Sequence, residues 1–370
     1  MKINEIYTPA ILVDLDAMEH NLKKYGDAAK AHGKQVWPML KTHKSLELAK
    51  AQVEAGATGF LCGTLDEAEA LCDAGFDNLM YAYPVATDVS VQRVTALAKR
   101  CNFIVRMDGL EAAKAVNEGA KEAGVKVNCT IIVDSGLHRF GVLPEHIADF
   151  AKELMKLDHL VLKGISTHPG QVYGAASKND VPPCIEAERA AIHAAVEALR
   201  SVGCEPELVT SGSTPTFFGA LEDENLQVMH PGNYIFNDVI QMSTETATED
   251  ECSLYVLASV ISHPREGLFI CDAGAKCLGL DQGAHGNSSI VGYGAVKGHP
   301  ELVVEGLSEE VGKLHVHGET TLKVGDKIKI IPNHSCSTAN LTSYYIGIRG
   351  DEVDHLISVD MRGNSTRKNA

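Results

Sequence analysis

The sequence lacks the features that mark membrane, secreted and nucleic-acid-binding proteins. No apolar run approaches the roughly 20 residues needed to span a bilayer, and the N-terminal segment MKINEIYTPAILVDLD carries acids where a signal peptide has its apolar core. The 33 Lys and Arg residues are scattered and are outnumbered by 49 Asp and Glu, so the formal net charge is −16. We therefore expect a cytoplasmic protein that binds neither nucleic acid nor an anionic membrane.

The ten cysteines follow no regular spacing. In a chain of 370 residues, such cysteines indicate a reducing compartment and argue against a disulfide framework. The length exceeds that of one small domain and predicts roughly two domains.

What the sequence does contain is a change of pattern along the chain. Over the first two-thirds, nine short apolar or β-branched runs alternate with Ala-, Glu- and Lys-rich stretches of helical period. Beyond residue 245, long helical periods give way to short strand-like runs between turns. The pattern predicts an α/β chain with a (β/α)8 TIM-like barrel over residues 10–245 and an all-β domain over 246–370. Nine strand candidates are one more than the barrel needs.

The first candidate for chemistry is Lys41, in the stretch WPMLKTHKS. It follows the second strand candidate, at the end where a barrel places its active-site groups. A lysine there can form a Schiff base with a carbonyl cofactor if burial or a neighbouring cation lowers its pKa, and Lys44 could supply that cation. A lysine-rich surface turn is the alternative.

Two small turns follow late strand candidates and could bind a phosphate. SGSTPT contains Ser213 and Thr214, and HPGNY contains Gly232 and Asn233. Both turns offer backbone N–H groups near the corner of a barrel where phosphates usually bind. Either turn alone could simply reverse the chain.

Three further side chains follow barrel strands. DSGLHRFGV places Arg139 after the strand TIIVDS, and ISTHPGQVYG places His168 and Tyr173 after the next strand. An arginine there could pair only with an acid, and a histidine could be a satisfied polar group. All three are nevertheless predicted to point into the same barrel mouth as Lys41.

His334 and Cys336 are two residues apart in PNHSCST, directly after a strand-like run. Residues i and i+2 of a strand face the same way, so the pair could bind one metal ion. Imidazole and thiolate favour zinc over magnesium or calcium, and two protein ligands leave positions for water or substrate. A free cysteine beside a polar histidine is the alternative.

Together these motifs resemble the D-serine dehydratase and D-threonine aldolase family of fold-type III, alanine racemase-like pyridoxal-phosphate enzymes. The barrel half is similar to alanine racemase in its early lysine, in DSGLHRFG, in TH and in the late GST. The marks of the narrower family are LKTHKS, HPGQVY, GSTPT, HPGNY, DAGAKCLGLD, GLSEE and PNHSCSTANL. The resemblance implies that the first strand leaves the barrel, so that residues 1–15 join the β domain and eight barrel strands remain.

The resemblance also implies roles for the candidate residues. Lys41 would form the Schiff base with pyridoxal 5′-phosphate and would be the base at the substrate Cα, and Arg139 would bind the phenolic oxygen of the cofactor. His334 and Cys336 would bind a divalent metal, for which the cysteine favours zinc (Zn2+). The residues that would bind the cofactor are Lys41, Arg139, His168, Tyr173, Ser213, Thr214, Gly232 and Asn233.

The activity that the resemblance implies is that of a lyase acting on D-β-hydroxy amino acids. We expect α,β-elimination of water, as in D-serine dehydratase, giving a 2-oxo acid and ammonia. Retro-aldol cleavage as in D-threonine aldolase, either reaction on 3-hydroxyaspartate, an amino-acid racemase and a non-catalytic cofactor carrier stay open as alternatives. The family further implies a homodimer with a small-molecule substrate.

Overall fold

The chain is organised around two sheets in the computed structural model, which describes residues 1–282, 287 and 289–362. The first strand, β1 (Ala10–Asp14), runs directly into helix α1 (Leu15–Ala31). Asp14 caps this helix because its carboxylate accepts a hydrogen bond from Ala17 N at 3.2 Å. Residues 363–370 of the predicted β domain lie outside the described part of the chain.

Eight parallel strands form the barrel sheet: β2 (Gln35–Val36), β3 (Phe60–Cys62), β4 (Leu79–Tyr81), β5 (Phe103–Met107), β6 (Val127–Ile132), β7 (Leu160–Ser166), β8 (Leu208–Ser211) and β9 (Val228–Met229). They pair in the order β2-β9-β8-β7-β6-β5-β4-β3. Isolated parallel bridges from Val36 to Ala57 and from Met39 to Leu61 link the two ends of this order and nearly close the barrel.

Helices lie between most of the barrel strands: α2 (Leu46–Glu54), α3 (Leu65–Asp73), α4 (Asp88–Ala98), α5 (Leu110–Ala123), α6 (Ile147–Leu154), α7 (Val181–Ser201), α8 (Phe217–Ala220) and α9 (Val239–Ser243). The hydroxyls of Ser45, Thr64 and Thr87 cap α2, α3 and α4. Short 3-10 helices cover Ile3–Glu5, Leu40–Thr42, Pro144–His146, Gly170–Gly174, Lys178–Asp180, Asn233–Ile235 and Glu249–Glu251. None of the described helices is long and apolar enough to cross a membrane.

A cluster of apolar side chains packs inside the barrel. Their cluster includes the single tryptophan, Trp37, with Met39, Leu61, Met80 and Ile104. Because a packed interior leaves space only at the ends of the strands, the ligand site of such a barrel lies at its mouth.

The second sheet holds the remaining strands: β10 (Leu254–Arg265), β11 (Leu268–Cys271), β12 (Ala295–Val296), β13 (Leu302–Leu307), β14 (Gly312–Val316), β15 (Lys327–Ile331), β16 (Tyr344–Arg349) and β17 (Glu352–Ser358). Two short helices, α10 (Ala275–Leu278) and α11 (Ser335–Ala339), interrupt them. Strand β1 lies in this sheet, antiparallel to β10 and parallel to β16. The predicted fold class, a (β/α)8 barrel followed by an all-β domain, is confirmed.

Candidate active site

One cavity at the barrel mouth is lined by nearly all of the residues that were predicted to carry chemistry. It is a concave space with both polar and apolar walls, as in sites that bind small molecules. The β domain contributes to its wall through the segment that follows β15. The predicted residues that line the cavity are Lys41, Arg139, His168, Tyr173, Ser213, Gly232, Asn233, His334 and Cys336.

Lys41 lies in the 3-10 turn Leu40–Thr42 shortly after β2. Met39 N donates to Pro231 O at 3.0 Å, which ties the start of this turn to the segment after β9. Lys41 therefore reaches the cavity from a backbone that is held by the neighbouring strand.

Lys44 does not act as an isolated cation beside Lys41, as the sequence had suggested. Its side chain is buried, and its ammonium group donates to Glu67 Oε1. The other carboxylate oxygen of Glu67 accepts from Gly63 N at 2.6 Å. Lys44 is thus half of a buried ion pair that fixes the turn against α3.

The two turns predicted to hold a phosphate lie next to each other, after β8 and β9. Within the described residues, the backbone N–H groups of Ser213, Gly232 and Asn233 have no protein acceptor, so they are available to an anion. A Cβ on Gly232 would lie 3.1 Å from Met39 Cβ and from Thr42 Oγ1. This turn therefore packs closely against the turn that carries the lysine.

Hydrogen bonds of buried polar side chains hold the phosphate turns in place. Thr214 N donates to Tyr173 Oη at 3.3 Å and Thr214 Oγ1 accepts from Tyr234 N at 3.1 Å, so Thr214 lies behind the cavity wall. Ser211 donates to Glu188, a buried acid on α7. Burial raises the pKa of Glu188 to about 7, although the hydrogen bond from Ser211 opposes the rise.

His168 and Arg139 border the cavity on the side of β6 and β7. His168 Nδ1 donates to Gly212 O at 2.8 Å, and burial together with the charge of Lys41 lowers the pKa of His168 to about 3. The His168 ring is therefore neutral at physiological pH. Arg139 lies exposed at the rim, with its guanidinium carbon 4.5 Å from the centroid of the Phe140 ring.

Two buried side chains that line the cavity, Arg106 and His230, were missed in the sequence. His230 donates from Nδ1 to Trp37 O at 2.8 Å, burial lowers its pKa to about 3, and its Nε2 has no partner among the described residues. Arg106 on β5 donates from Nε to Ser166 Oγ at 2.7 Å, but its Nη2 has no such partner. The available signals were a cation inside the strand-like run FIVRMD and the histidine of HPGNY.

His334 and Cys336 approach each other, but they do not lie on a strand. Strand β15 ends at Ile331, and His334 is the N-cap of α11, which contains Cys336. The prediction that the pair shares one strand face is therefore wrong. Pro332 has no N–H group for a ladder hydrogen bond, and a helix begins three residues later, at Ser335.

Asp238, another residue missed in the sequence, ties this pair to the barrel. Its Oδ2 accepts from His334 Nδ1 at 3.2 Å, from Ser335 N at 2.9 Å and from Asn233 Nδ2 at 2.7 Å. Burial alone would lower the pKa of His334, but Cys336 and Asp238 raise it well above its ordinary value. Burial would likewise raise the pKa of Cys336, but His334 lowers it, which favours the metal-binding thiolate.

The donor groups of the cavity fit pyridoxal phosphate. A lysine, two adjacent turns with available N–H groups, and the unpartnered nitrogens of Arg106 and His230 surround one space. For zinc the fit is limited to His334 and Cys336, because no group of three or more His, Cys, Asp or Glu side chains that could hold a metal occurs in the described residues. Two ligands of this chemistry suit an open site with positions for water or substrate.

Comparisons with known proteins agree with this geometry. Residues 13–238 match the family described as alanine racemase, N-terminal domain, and residues 253–348 match the putative serine dehydratase domain. The chain is 30% identical to the D-threo-3-hydroxyaspartate dehydratase of Delftia sp. (strain HT23), over 93% of this chain and 94% of that protein. It is 29% identical to the 3-hydroxy-D-aspartate aldolase of Paracoccus denitrificans (strain Pd 1222), over 98% of this chain and 94% of that protein.

A solved structure gives the same result in three dimensions. The crystal structure of D-threonine aldolase from Filomicrobium marinum superposes with a TM-score of 0.90 at 27% identity, covering 99% of this chain and 98% of that one. Enzymes named for two reactions, dehydration and aldol cleavage, are thus similar to this chain over nearly its full length.

Proposed function

Since the chain belongs to the fold-type III, alanine racemase-like family of pyridoxal-phosphate enzymes that includes D-serine dehydratases and D-threonine aldolases, we propose that it is a lyase acting on D-β-hydroxy amino acids. The reaction we propose first is the α,β-elimination of water, which gives a 2-oxo acid and ammonia. The observation that carries this proposal is that Lys41, His334 and Cys336 line one cavity.

The barrel residues would bind the cofactor and move the proton at Cα. Lys41 would hold the cofactor covalently, the turns at Ser213 and Gly232 would bind its phosphate, and Arg139 would donate to its phenolic oxygen. Bound pyridoxal phosphate supplies an electron sink for negative charge at the substrate Cα. Lys41 Nζ would also take the Cα proton, because the freed lysine amine would be the basic group beside that carbon once the substrate amine has taken its place.

The β domain would contribute the metal. His334 and Cys336 would hold zinc, which supplies a Lewis acid for the β-hydroxyl group of the substrate. Asp238 accepts from His334 Nδ1 and so leaves Nε2 of the neutral ring as the ligand atom. Asp238 is therefore proposed as a positioning residue rather than as a metal ligand.

Retro-aldol cleavage is the second candidate, because relatives named dehydratase and aldolase match the chain at 30% and 29% identity. The two reactions use the same cofactor and metal sites. They differ in whether the C–O bond at Cβ or the Cα–Cβ bond breaks. The names of the same relatives also make 3-hydroxyaspartate a candidate substrate beside D-serine and D-threonine.

The test is a product assay on the purified protein with added pyridoxal phosphate, with and without a chelator. D-Threonine is the first substrate, with L-threonine as the matched control and D-serine and D-3-hydroxyaspartate as further substrates. We expect 2-oxobutyrate and ammonia that disappear with the chelator. Glycine and acetaldehyde would identify an aldolase, and loss of the optical rotation of D-serine without any breakdown product would identify a racemase.

We also propose that the enzyme is a homodimer. The support from this chain is a groove in the β sheet lined by the exposed apolar side chains of Tyr7, Leu341 and Tyr344. Light scattering on the purified holoenzyme tests this proposal, and a mass near 39.7 kDa, that of a single chain, would contradict it.

A further inference from the structure

Arg106 extends from β5 into the barrel interior. Along this strand, Val105 and Met107 pack into the main core, whereas Ile104 joins the interior cluster, so Arg106 also faces inward. The residue is 2% exposed and donates from Nε to Ser166 Oγ at 2.7 Å. Its Nη1 reaches a backbone carbonyl only at 3.4 Å, and Nη2 has no partner among the described residues.

The charge of Arg106 is not balanced within the cavity. Burial, reinforced by the charge of Arg139, lowers the pKa of Arg106 to about 10, so the guanidinium stays cationic at neutral pH. None of the described residues that line the cavity is an aspartate or a glutamate. Asp108, two residues along, accepts from Gly141 N at 3.1 Å. A buried guanidinium with an unpaired N–H group is unfavourable unless a bound anion compensates it.

The two phosphate turns line the same cavity as Arg106 but lie on a different side of the barrel. Arg106 lies on β5 and Arg139 follows β6, whereas the turns follow β8 and β9. In the order of the eight barrel strands, β9 lies across from β5. With the phosphate held by these turns, an anionic group on another part of the ligand is the better match for Arg106.

We propose that Arg106 binds, through Nη2, an anionic oxygen of the ligand other than the phosphate. This inference rests on the proposed function, because it needs a ligand in the barrel mouth. Two groups have the required chemistry: the phenolic oxygen of the cofactor, which Arg106 would then share with Arg139, and a carboxylate of the substrate. In the second case, Arg106 would add more to the binding affinity for 3-hydroxyaspartate, which has two carboxylates, than to that for serine, which has one.

The experiment compares Arg106→Met with the wild type, first without and then with pyridoxal phosphate. Methionine matches the aliphatic stem of arginine and removes the charge, so the cofactor-free variant should be at least as stable as the wild type. Its gain in Tm on adding the cofactor should be smaller. Fluorescence of Trp37, which lies in the barrel interior, reports the cofactor affinity. A purely structural arginine would instead lower Tm in both states.

Two further variants make the comparison specific. Arg93 is a mostly buried arginine paired with Asp66 and Glu69 outside the cavity, so Arg93→Met should lower Tm without changing cofactor affinity. Arg106→Lys keeps the charge and should retain more affinity than Arg106→Met, and it replaces that variant as the test if Arg106→Met does not fold. Loss of one charge-assisted hydrogen bond should weaken binding by roughly tenfold to a hundredfold.

The measured cofactor affinity and KM values identify the group that Arg106 binds. Weaker cofactor binding by Arg106→Met identifies the phenolic oxygen as the partner. Unchanged cofactor binding with a raised KM identifies a substrate carboxylate: the second carboxylate if KM rises only for D-3-hydroxyaspartate, and the α-carboxylate if KM rises for D-serine as well. Unchanged cofactor affinity and unchanged KM for both substrates overturn the inference while leaving the proposed function intact. If the wild type takes up no cofactor, the proposed function fails and the inference fails with it.

Discussion

Replacing Asp238 with asparagine should separate the metal site from the cofactor site. Asp238 is fully buried, and its Oδ2 accepts from a barrel side chain, Asn233, and from two groups of the β domain, His334 and Ser335. Its Oδ1 accepts from Gln241 N at 3.0 Å and so caps α9. Asparagine keeps the size of the side chain but replaces one acceptor oxygen with a donor.

The expected cost follows from these contacts. Asparagine caps a helix as well as aspartate does, so its remaining oxygen can keep the cap of α9. Loss of the charge-assisted bonds from His334, Ser335 and Asn233 costs about 2 to 3 kcal/mol. We therefore expect the free energy of unfolding of Asp238→Asn to fall by about 2 to 3 kcal/mol. Zinc affinity should fall about 10- to 100-fold, because the hydrogen-bond partner that orients a metal-binding histidine typically contributes that much.

The assay combines zinc affinity, measured by competition with a chromophoric chelator, with urea unfolding and the absorbance of the bound cofactor. Asp223→Asn is the matched control, since Asp223 is also buried and also accepts from a histidine, His193 at 3.1 Å, but lies outside the cavity. The control should lose stability and keep its zinc affinity. If Asp238→Asn loses stability but binds zinc as the wild type does, then Asp238 does not position His334 and the reasoning is refuted.

Three further predictions concern the cofactor, the metal and the support of the phosphate turns. Lys41→Ala should abolish the absorbance of the covalently bound cofactor and all activity; any remaining turnover would exclude Lys41 as the proposed base. Cys336→Ala should keep that absorbance but lose zinc and activity, so an active, zinc-free variant would contradict the metal's role. Burial raises the pKa of Glu188 from 4.5 to about 7, so the folded chain holds a proton there that the unfolded chain has released. Stability should therefore fall as pH rises from about 4.5 to 7, and Glu188→Gln should lose this dependence and be more stable than the wild type at pH 8, as measured by urea unfolding at pH 5 and 8.

The architecture was predictable because it depends on the spacing of apolar residues along each strand and helix. All nine strand candidates of the first part form strands, and the family resemblance explained why only eight of them build the barrel. The Ala- and Glu-rich stretch IEAERAAIHAAVEALRS, which has a helical period, lies within α7 (Val181–Ser201). The strand lengths were less predictable: the run QVWPML forms a strand only at Gln35–Val36, since Pro38 has no N–H group for a longer ladder.

The site was predictable only in part, because the partners of a polar side chain depend on how the barrel closes. His334 and Cys336 were identified by residue type, but their spacing suggested a strand where the structure has a helix N-terminus. Arg106 and Asp238 carry no motif of their own. Arg106 reaches the cavity only because its side chain faces inward on β5, where it donates to Ser166. Asp238 reaches the site through residues almost a hundred positions away, as in its 3.2 Å hydrogen bond with His334.

The connection through Asn233 and Asp238 has a consequence for how the two ligand sites depend on each other. The backbone N–H of Asn233 belongs to a phosphate turn, whereas its side chain binds Asp238 at 2.7 Å and Ser335 Oγ at 2.8 Å. Ser335 and its neighbour His334 begin the helix that carries Cys336. One short chain of hydrogen bonds therefore joins the proposed phosphate site to the proposed zinc site. If binding of the cofactor or of zinc orders this segment, the other of the two should bind more tightly. The entropy cost of fixing the same backbone has then already been met by the first.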